Sequence, residues 1–261
     1  MAVLPEMVEM LKCGVHFGHR TSKRHPKMAN FIFGAKDGIS ILDLDKTIVY
    51  LKEALEYLEG VARSGGTILF VGAKNQAAEI VKEQALRCGM PYVHTRWLGG
   101  TLTNFAVISK MIKKYKKLKS EFEKGEVAKF TKKEQLDLSR DMEELEGLIG
   151  GIAELTKLPD VVYIVDVKKD KTASTEAQKK KIPIVALCDS NINPECIAYP
   201  IPANDDAIKS IRMMTTLVSD AILEGKDKRQ VDIEKAIAQK AADAKTAEAP
   251  AAKPAAPAQE A

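Results

Sequence analysis

The sequence predicts an α/β fold: a parallel sheet with helices on both faces, an inserted antiparallel helical coiled-coil hairpin and a disordered tail. Three observations predict it. Short apolar runs alternate with segments whose apolar residues recur at helical spacing. Between residues 104 and 149 this alternation gives way to two highly charged helical patterns with narrow apolar seams. Past about Gly225 the apolar pattern fades, and Ala241 to Ala261 is rich in Ala, Pro and Lys. The chain divides accordingly. Residues 1–45 hold a helix, a basic loop and a β-hairpin; 46–103 with 150–225 form the core; 104–149 form the inserted hairpin; 226–261 form the tail.

Pro5 to Cys13 reads as a short amphipathic helix with Leu4, Val8 and Leu11 on its apolar side, stopped by Gly14. A polar, basic loop follows, opening at Val15 and running through Pro26 and Lys27. Phe31 to Phe33 and Ile39 to Leu42 are strand-like, and Asp37-Gly38 between them favours a hairpin turn. Asp43 or Asp45 caps a helix with apolar residues at Ile48, Leu51, Leu55, Leu58 and Ala62, ended by Gly65-Gly66. Thr67 to Val71 is a buried strand, Gln76 to Cys88 a helix, and Met90 to His94 the next strand. Arg96-Trp97-Leu98-Gly99-Gly100 forms the joint to the hairpin. The first arm carries Ile108, Ile112, Tyr115, Leu118 and Phe122; the second carries Leu138, Met142, Leu145, Ile149 and Ile152. Thr131-Lys132-Lys133-Glu134 is a capping box that starts the second arm. Each arm runs about 28 Å at 1.5 Å per residue. The first arm is basic and the second acidic, so antiparallel pairing is expected to neutralise part of the lysine charge. The core resumes with strands at Val161 to Val165, Ile184 to Cys188 and Ile197 to Ile201, and a helix at Thr172 to Lys180. A closing helix, Asp206 to Glu224, turns Ile208, Ile211, Met214 or Thr215, Val218 and Ile222 inward.

The net charge of +4 is modest, but its distribution is not even. Met10 to Lys36 contains basic residues and no acid, and Ser109 to Ser120 contains six lysines and no acid. Local fields of one sign steer polyanions. A charge run is also what a solvated helix face looks like; two such segments plus Arg96 beside Trp97 favour RNA over that plainer reading. Low aromatic content argues against an extended base-stacking platform. Cys13, Cys88, Cys188 and Cys196 contain no C-x-x-C pair and read as reduced, cytosolic thiols. No signal-peptide pattern is visible, and the longest apolar runs are too short for a membrane span, so a soluble, intracellular protein is expected.

Other constellations are weaker. Gly72-Ala73-Lys74 follows a strand and opens a helix, a place where a phosphate can sit, but neither nucleotide-binding glycine motif is present. Asp166 and Asp189 end strands, where α/β folds place their chemistry; such residues more often cap turns. Cys13, His16 and His19 are ligand types, yet Gly14 and Gly18 break the helix that would group them. His16 meeting Asp189, Asp205 or Asp206 in space is the alternative route to a divalent ion. No catalytic triad has local support.

The order of several short stretches carries a resemblance. Gly14-Val15-His16-Phe17-Gly18-His19, Pro26-Lys27-Met28 and Phe31-Ile32-Phe33-Gly34 are followed by Ile41-Leu42-Asp43-Leu44 and Leu69-Phe70-Val71-Gly72. Arg96 to Gly100, Leu102-Thr103-Asn104, Leu158-Pro159-Asp160, Ile182-Pro183 and Asn204 to Ile208 come next. Over about Met7 to Gly225 the chain resembles the second-protein family of the small ribosomal subunit, bacterial type. The resemblance implies a flavodoxin-like sheet and a non-enzymatic, structural role in the cytoplasm. It implies contact with small-subunit rRNA and with neighbouring proteins, including help in holding the first small-subunit protein. No membrane, small-molecule substrate or resident cofactor is implied. On this reading Arg20, Lys23, Arg24 and Lys27 clamp phosphates, Arg96, Trp97 and Asn104 fix the joint, and Lys110, Lys113, Lys114 and Lys117 lay the hairpin on RNA. Competing expectations are a small-molecule enzyme using Gly72, Lys74 and Asp189, or a hairpin whose tip (Lys124 to Lys129) docks a protein. The chain departs from the family pattern at Cys13, Thr101, Cys196 and Ala203; Ala203 would be strained if its φ were positive.

Overall fold

The computed structural model describes residues 4–125, 129 and 131–247, with side chains described as far as residue 235. Two sheets organise it. β1 (Phe17–Arg20), β2 (Ile32–Lys36) and β3 (Ile39–Leu42) form an antiparallel sheet in the order β1-β3-β2. β4 (Ile68–Val71), β5 (Tyr92–Val93), β6 (Val161–Ile164), β7 (Ile184–Cys188) and β8 (Tyr199–Pro202) form a parallel sheet in the order β5-β4-β6-β7-β8. Counted within that sheet the order is 2-1-3-4-5, the flavodoxin-like arrangement, with its reversal between β4 and β6.

Every residue of β4, β6 and β7 is buried, as a parallel sheet covered on both faces requires. Alternate residues serve opposite faces. Ile68, Phe70, Val161 and Tyr163 join one core with α2 (Leu44–Arg63), α3 (Asn75–Cys88) and α7 (Ile208–Ala247). Leu69, Val71, Val162 and Ile164 join the other core with Trp97, Leu102, Ala173, Ala177 and the base of the hairpin. Local chemistry sets the ends. Asp43 accepts from Asp45 N at 3.1 Å to start α2. Asp37 and Gly38 both take positive φ (51° and 74°), the two-residue turn that fits a twisted hairpin. Thr131 and Glu134 form the expected capping box of α5 (Lys132–Ile149).

The N-terminal segment differs from expectation. The basic loop contains a strand, β1, and two short 3-10 turns, Thr21–Lys23 and Pro26–Phe31. Long-range bonds fold it: His25 N donates to Ser190 O (2.8 Å) and Thr21 N to Gly38 O (2.9 Å). α1 (Met7–Cys13) buries Met10, while Val8 and Leu11 are 55% and 46% exposed. Val8 and Leu11 therefore do not lie on the packed face, whereas Leu4, which precedes the helix, packs against the core. Ala203 lies outside the positive-φ residues and is fully buried, so it adds no strain there.

α4 (Phe105–Glu123) and α5 lie against each other. Ile108, Ile112, Tyr115 and Leu118 are buried along α4; on α5 Leu138, Met142 and Leu145 are half-buried and Ile149 is buried. Among the described residues no ion pair joins the lysines of α4 to the carboxylates of α5, so the expected neutralisation between arms is not made by direct pairing. The hairpin tip includes residues 126–128 and 130, outside the described residues.

α7 continues past the expected end near Glu224. Arg63 Nε donates to Asp232 Oδ2 (2.7 Å) and Lys228 Nζ to Glu59 Oε1 (2.5 Å), so α2 supplies charged partners along the extension. These pairs replace the apolar periodicity that the tail lacks. Ile208 is 57% exposed because it opens the helix, whereas Ile211, Met214, Val218 and Ile222 are fully buried. Residues 248–261 of the expected tail lie outside the described residues.

Candidate nucleic-acid interface and carboxylate cluster

The joint between core and hairpin is organised by one carboxylate. Glu176 on α6 (Lys171–Lys179) is buried. Its Oε1 accepts from Gly100 N (2.7 Å) and Trp97 Nε1 (3.2 Å); its Oε2 accepts from Leu102 N (3.0 Å), Thr103 N (3.1 Å) and Thr103 Oγ1 (3.1 Å). Burial alone would raise its pKa, but the amides of Gly100, Thr103 and Leu102 and the Trp97 indole outweigh that and hold it below the ordinary carboxylate range. Trp97 is therefore a core residue, 7% exposed, and not a base-stacking surface. Arg96 and Asn104 are exposed beside it, and Asn104 sits at the N-cap of α4 without a side-chain cap bond. Sequence reasoning missed Glu176 because its partners lie about 75 residues earlier in the chain.

The basic residues stand outward. Arg20, Lys23, Arg24 and Lys27 are all exposed on the N-terminal module. Lys27 is ion-paired with Glu195; Arg20 and Arg24 have no carboxylate partner among the described residues. Lys110, Lys113, Lys114 and Lys117 are exposed along α4. They trail the buried positions by about two residues, or roughly 200°, so they form a stripe on the opposite side of the helix. Lys117 lies 3.6 Å from Glu121 within its own helix. The other three lack carboxylate partners among the described residues.

At the carboxyl edge of the parallel sheet lies a second constellation. His19, Asp189, Asp205 and Asp206 each offer a ligand atom, all within 4.8 Å of one another. β1 delivers His19: its backbone N donates to Ser190 Oγ (2.9 Å), and its Nδ1 lies 2.7 Å from Asp189 Oδ2. Gly18 permits this approach, since a Cβ there would stand 2.9 Å from Ser190 Oγ. His19 Nε2 faces Asp206 Oδ2 at 3.5 Å. The bond to Asp189 raises the His19 pKa, while burial opposes it. Burial, then Asp166 and Asp189, push the Asp205 carboxyl up to about 7, and Asp205 Oδ2 is buried without a hydrogen-bond partner.

Lys74 Nζ contacts Asp166 (3.1 Å), Asp205 (3.1 Å) and Asp206 (2.6 Å). Burial would lower its pKa; the carboxylates, led by Asp206, prevail and raise it. A phosphate at Gly72-Ala73-Lys74 would meet these aspartates, and Ala73 N is already donated to Asp170 Oδ2 (3.1 Å). The turn is thus not a nucleotide site. Asp166 Oδ1 accepts from Lys169 N (2.8 Å) and caps its turn. Of the metal-ligand residues expected, Asp189 and Asp205 are brought together and His16 is not. The His16 ring packs at a tilt against Phe17 (centroids 4.1 Å), and His19 occupies the place assigned to it. Cys13, His16 and His19 do not form a group.

The sequence as a whole matches a known family. The sequence profile described as Ribosomal protein S2 matches residues 10–225. The chain belongs to the ribosomal protein S2 family. It is 49% identical over 225 residues to the small ribosomal subunit protein uS2 of Micrococcus luteus, covering 86% of this chain and 79% of that one. It is 46% identical over 228 residues to uS2 of Geotalea uraniireducens (87% and 89% covered) and 47% identical over 226 residues to uS2 of Thermobifida fusca (86% and 77% covered). S2 membership gives the chain a structural role in the small ribosomal subunit, and so in translation. S2 proteins are not enzymes, and neither is this chain. Among the described residues no helix is long and apolar enough to cross a membrane.

Proposed function

We propose that this chain holds small-subunit rRNA through two exposed cationic faces, acting in the cytoplasm as a non-enzymatic part of the small subunit. One face is the N-terminal module with Arg20, Lys23, Arg24 and Lys27; the other is the α4 stripe Lys110, Lys113, Lys114 and Lys117, with Arg96 and Asn104 at its root. The observation that carries this is the exposure of these cations, most of them without carboxylate partners among the described residues, on two segments (Met10 to Lys36 and Ser109 to Ser120) that contain no acid at all. Exposed ammonium groups neutralise phosphate backbone without reading sequence. Replacing Lys110, Lys113 and Lys114 together by alanine is expected to flatten the dependence of log affinity on log salt by about 2 to 3. The check is filter binding to small-subunit rRNA across a salt series; an unchanged slope removes the stripe from the interface. The helical hairpin acts in this reading as a coiled-coil arm, and the neighbouring partners include the first small-subunit protein.

The carboxylate cluster favours a second, structural element, a divalent ion. Asp166, Asp189, Asp205 and Asp206 outnumber the single Lys74 ammonium among them. His19 Nε2 with the Asp205 and Asp206 carboxylates would be the donors, and Asp189 on Nδ1 would orient the imidazole. The orphaned Asp205 oxygen fits such a ligand. Chelation is then expected to lower the melting temperature of the purified protein, since an ion present at about 100 times its Kd contributes about 2.7 kcal/mol of stability. Asp205→Asn should show no further drop on chelation. A wild-type melting curve indifferent to chelator and to added Zn²⁺ argues against the ion.

A further inference from the structure

A cavity of about 510 Å³ opens at the amino-terminal edge of the parallel sheet, the opposite edge from the carboxylate cluster. Its walls come from the starts of β4 and β5, the turn after α5 and the extension of α7. Much of its lining is glycine backbone (Gly65, Gly66, Gly89, Gly150, Gly151), with Leu86, Met90 and Leu155 as apolar surface. Leu86 is 60% exposed and Met90 is buried. Volume and mixed lining are those of a small-molecule-sized site.

Two cations at this cavity are held in place and, among the described residues, unclaimed by carboxylates. Lys226 Nζ donates to Cys88 O (2.5 Å) and Gly89 O (3.4 Å), the carbonyls that end α3. The Arg229 guanidinium lies on Gly65: a Cβ on Gly65 would come within 2.3 Å of its Cζ. Gly65, at φ +80°, therefore gives the arginine a seat as well as making the turn. Arg229 has no carboxylate partner among the described residues, although its neighbours on α7, Lys228 and Asp232, are both paired. Glu154, which lines the cavity, is ion-paired with Lys116 (3.2 Å), and Asp160, beside Gly66, with Lys157 (3.3 Å). The cavity thus offers an anion site beside an apolar, backbone-walled slot.

We propose that this cavity binds one nucleoside monophosphate unit, its phosphate at Arg229 and Lys226 and its base in the slot formed by Leu86, Met90 and Leu155. Resting on the RNA-binding reading above, the unit is a nucleotide of the RNA chain. An arginine matches phosphate geometry, and the Leu86, Met90 and Leu155 side chains offer a base an apolar surface. This would make the α7 extension, and not only the two basic faces, part of the nucleic-acid surface.

The test has two arms. In the first, the full chain is titrated with AMP, UMP and inorganic phosphate while glycine amide resonances are followed by NMR. The expected result is saturable movement of Gly65, Gly66, Gly89 and Gly151 with nucleotide, weakened about tenfold in Arg229→Ala, and partly retained in Arg229→Lys. Glycine resonances unmoved by nucleotide to about 10 mM, or moved equally by inorganic phosphate, overturn the proposal; so does an unchanged affinity in Arg229→Ala. In the second arm, Thr156→Cys in a Cys13→Ser, Cys196→Ser background carries a tethered iron chelate in assembled small subunits. Local cleavage of rRNA supports the chain-linked source. Normal subunit occupancy without cleavage overturns that source while leaving the two basic faces intact; failure to enter subunits at all, with the wild type failing too, counts instead against the RNA-binding reading.

Discussion

Glu176→Ala is expected to destabilise the protein by about 3 kcal/mol or more, because it strands the buried amides of Gly100 and Leu102 and the Trp97 indole. For a chain of this size that is a fall of roughly 6–12 °C in melting temperature. Glu176→Gln should recover only part of the loss, since its amide NH₂ faces donors where the carboxylate accepts. The single Trp makes the change visible: the emission of Trp97 should shift to the red as its pocket loosens. The pH dependence has a defined sign. A carboxylate held below its ordinary pKa contributes stability that is present above that ordinary value and is lost as pH falls through the depressed one. Wild type should therefore lose stability in acid more steeply than Glu176→Ala. Equal melting temperatures for the two proteins at neutral pH would remove Glu176 from the account of the joint.

Reversing charge on the N-terminal module has the largest expected effect on assembly. Arg20→Glu with Arg24→Glu should weaken association with small-subunit rRNA on the order of 100-fold, about tenfold for each site. Both side chains are exposed and neither anchors the fold, so the melting temperature should move little. The segment itself is fixed by backbone bonds from His25 to Ser190 and from Thr21 to Gly38, which the substitutions leave in place. Competition between mutant and wild-type protein during subunit reconstitution measures the effect directly. Equal incorporation of the two would take these arginines out of the interface.

Those residues also show what a sequence discloses. The strands β4, β6 and β7 were legible because they are unbroken apolar runs, and β7 falls on Ile184–Cys188 as expected, whereas β8 begins at Tyr199 and not at Ile197 and β5 is shortened to Tyr92–Val93. The hairpin turn was legible because Asp37-Gly38 tolerates two successive positive φ values. β1 was not, since Phe-Gly-His-Arg carries no apolar alternation and its partner strand lies beyond the next turn. The exposed cations could be read from composition, but their lack of partners could not, because pairing is decided between distant elements. The same limit separated His16 from His19: only the pairing of β1 with β3 and its approach to Asp189 decide which histidine reaches the cluster. Trp97 beside Arg96 suggested stacking, whereas a carboxylate on α6 claims the indole for the core.

The most direct measurement is sedimentation of the tagged protein from a lysate through gradients at low and high salt. Phosphate contact through two cationic faces predicts co-migration with small subunits at low salt and progressive release as salt rises, each neutralised phosphate steepening log affinity against log salt by roughly 0.7 to 0.9. A protein that stays at the top of the gradient at every salt concentration, or one that co-sediments with no dependence on salt, contradicts binding through these exposed cations.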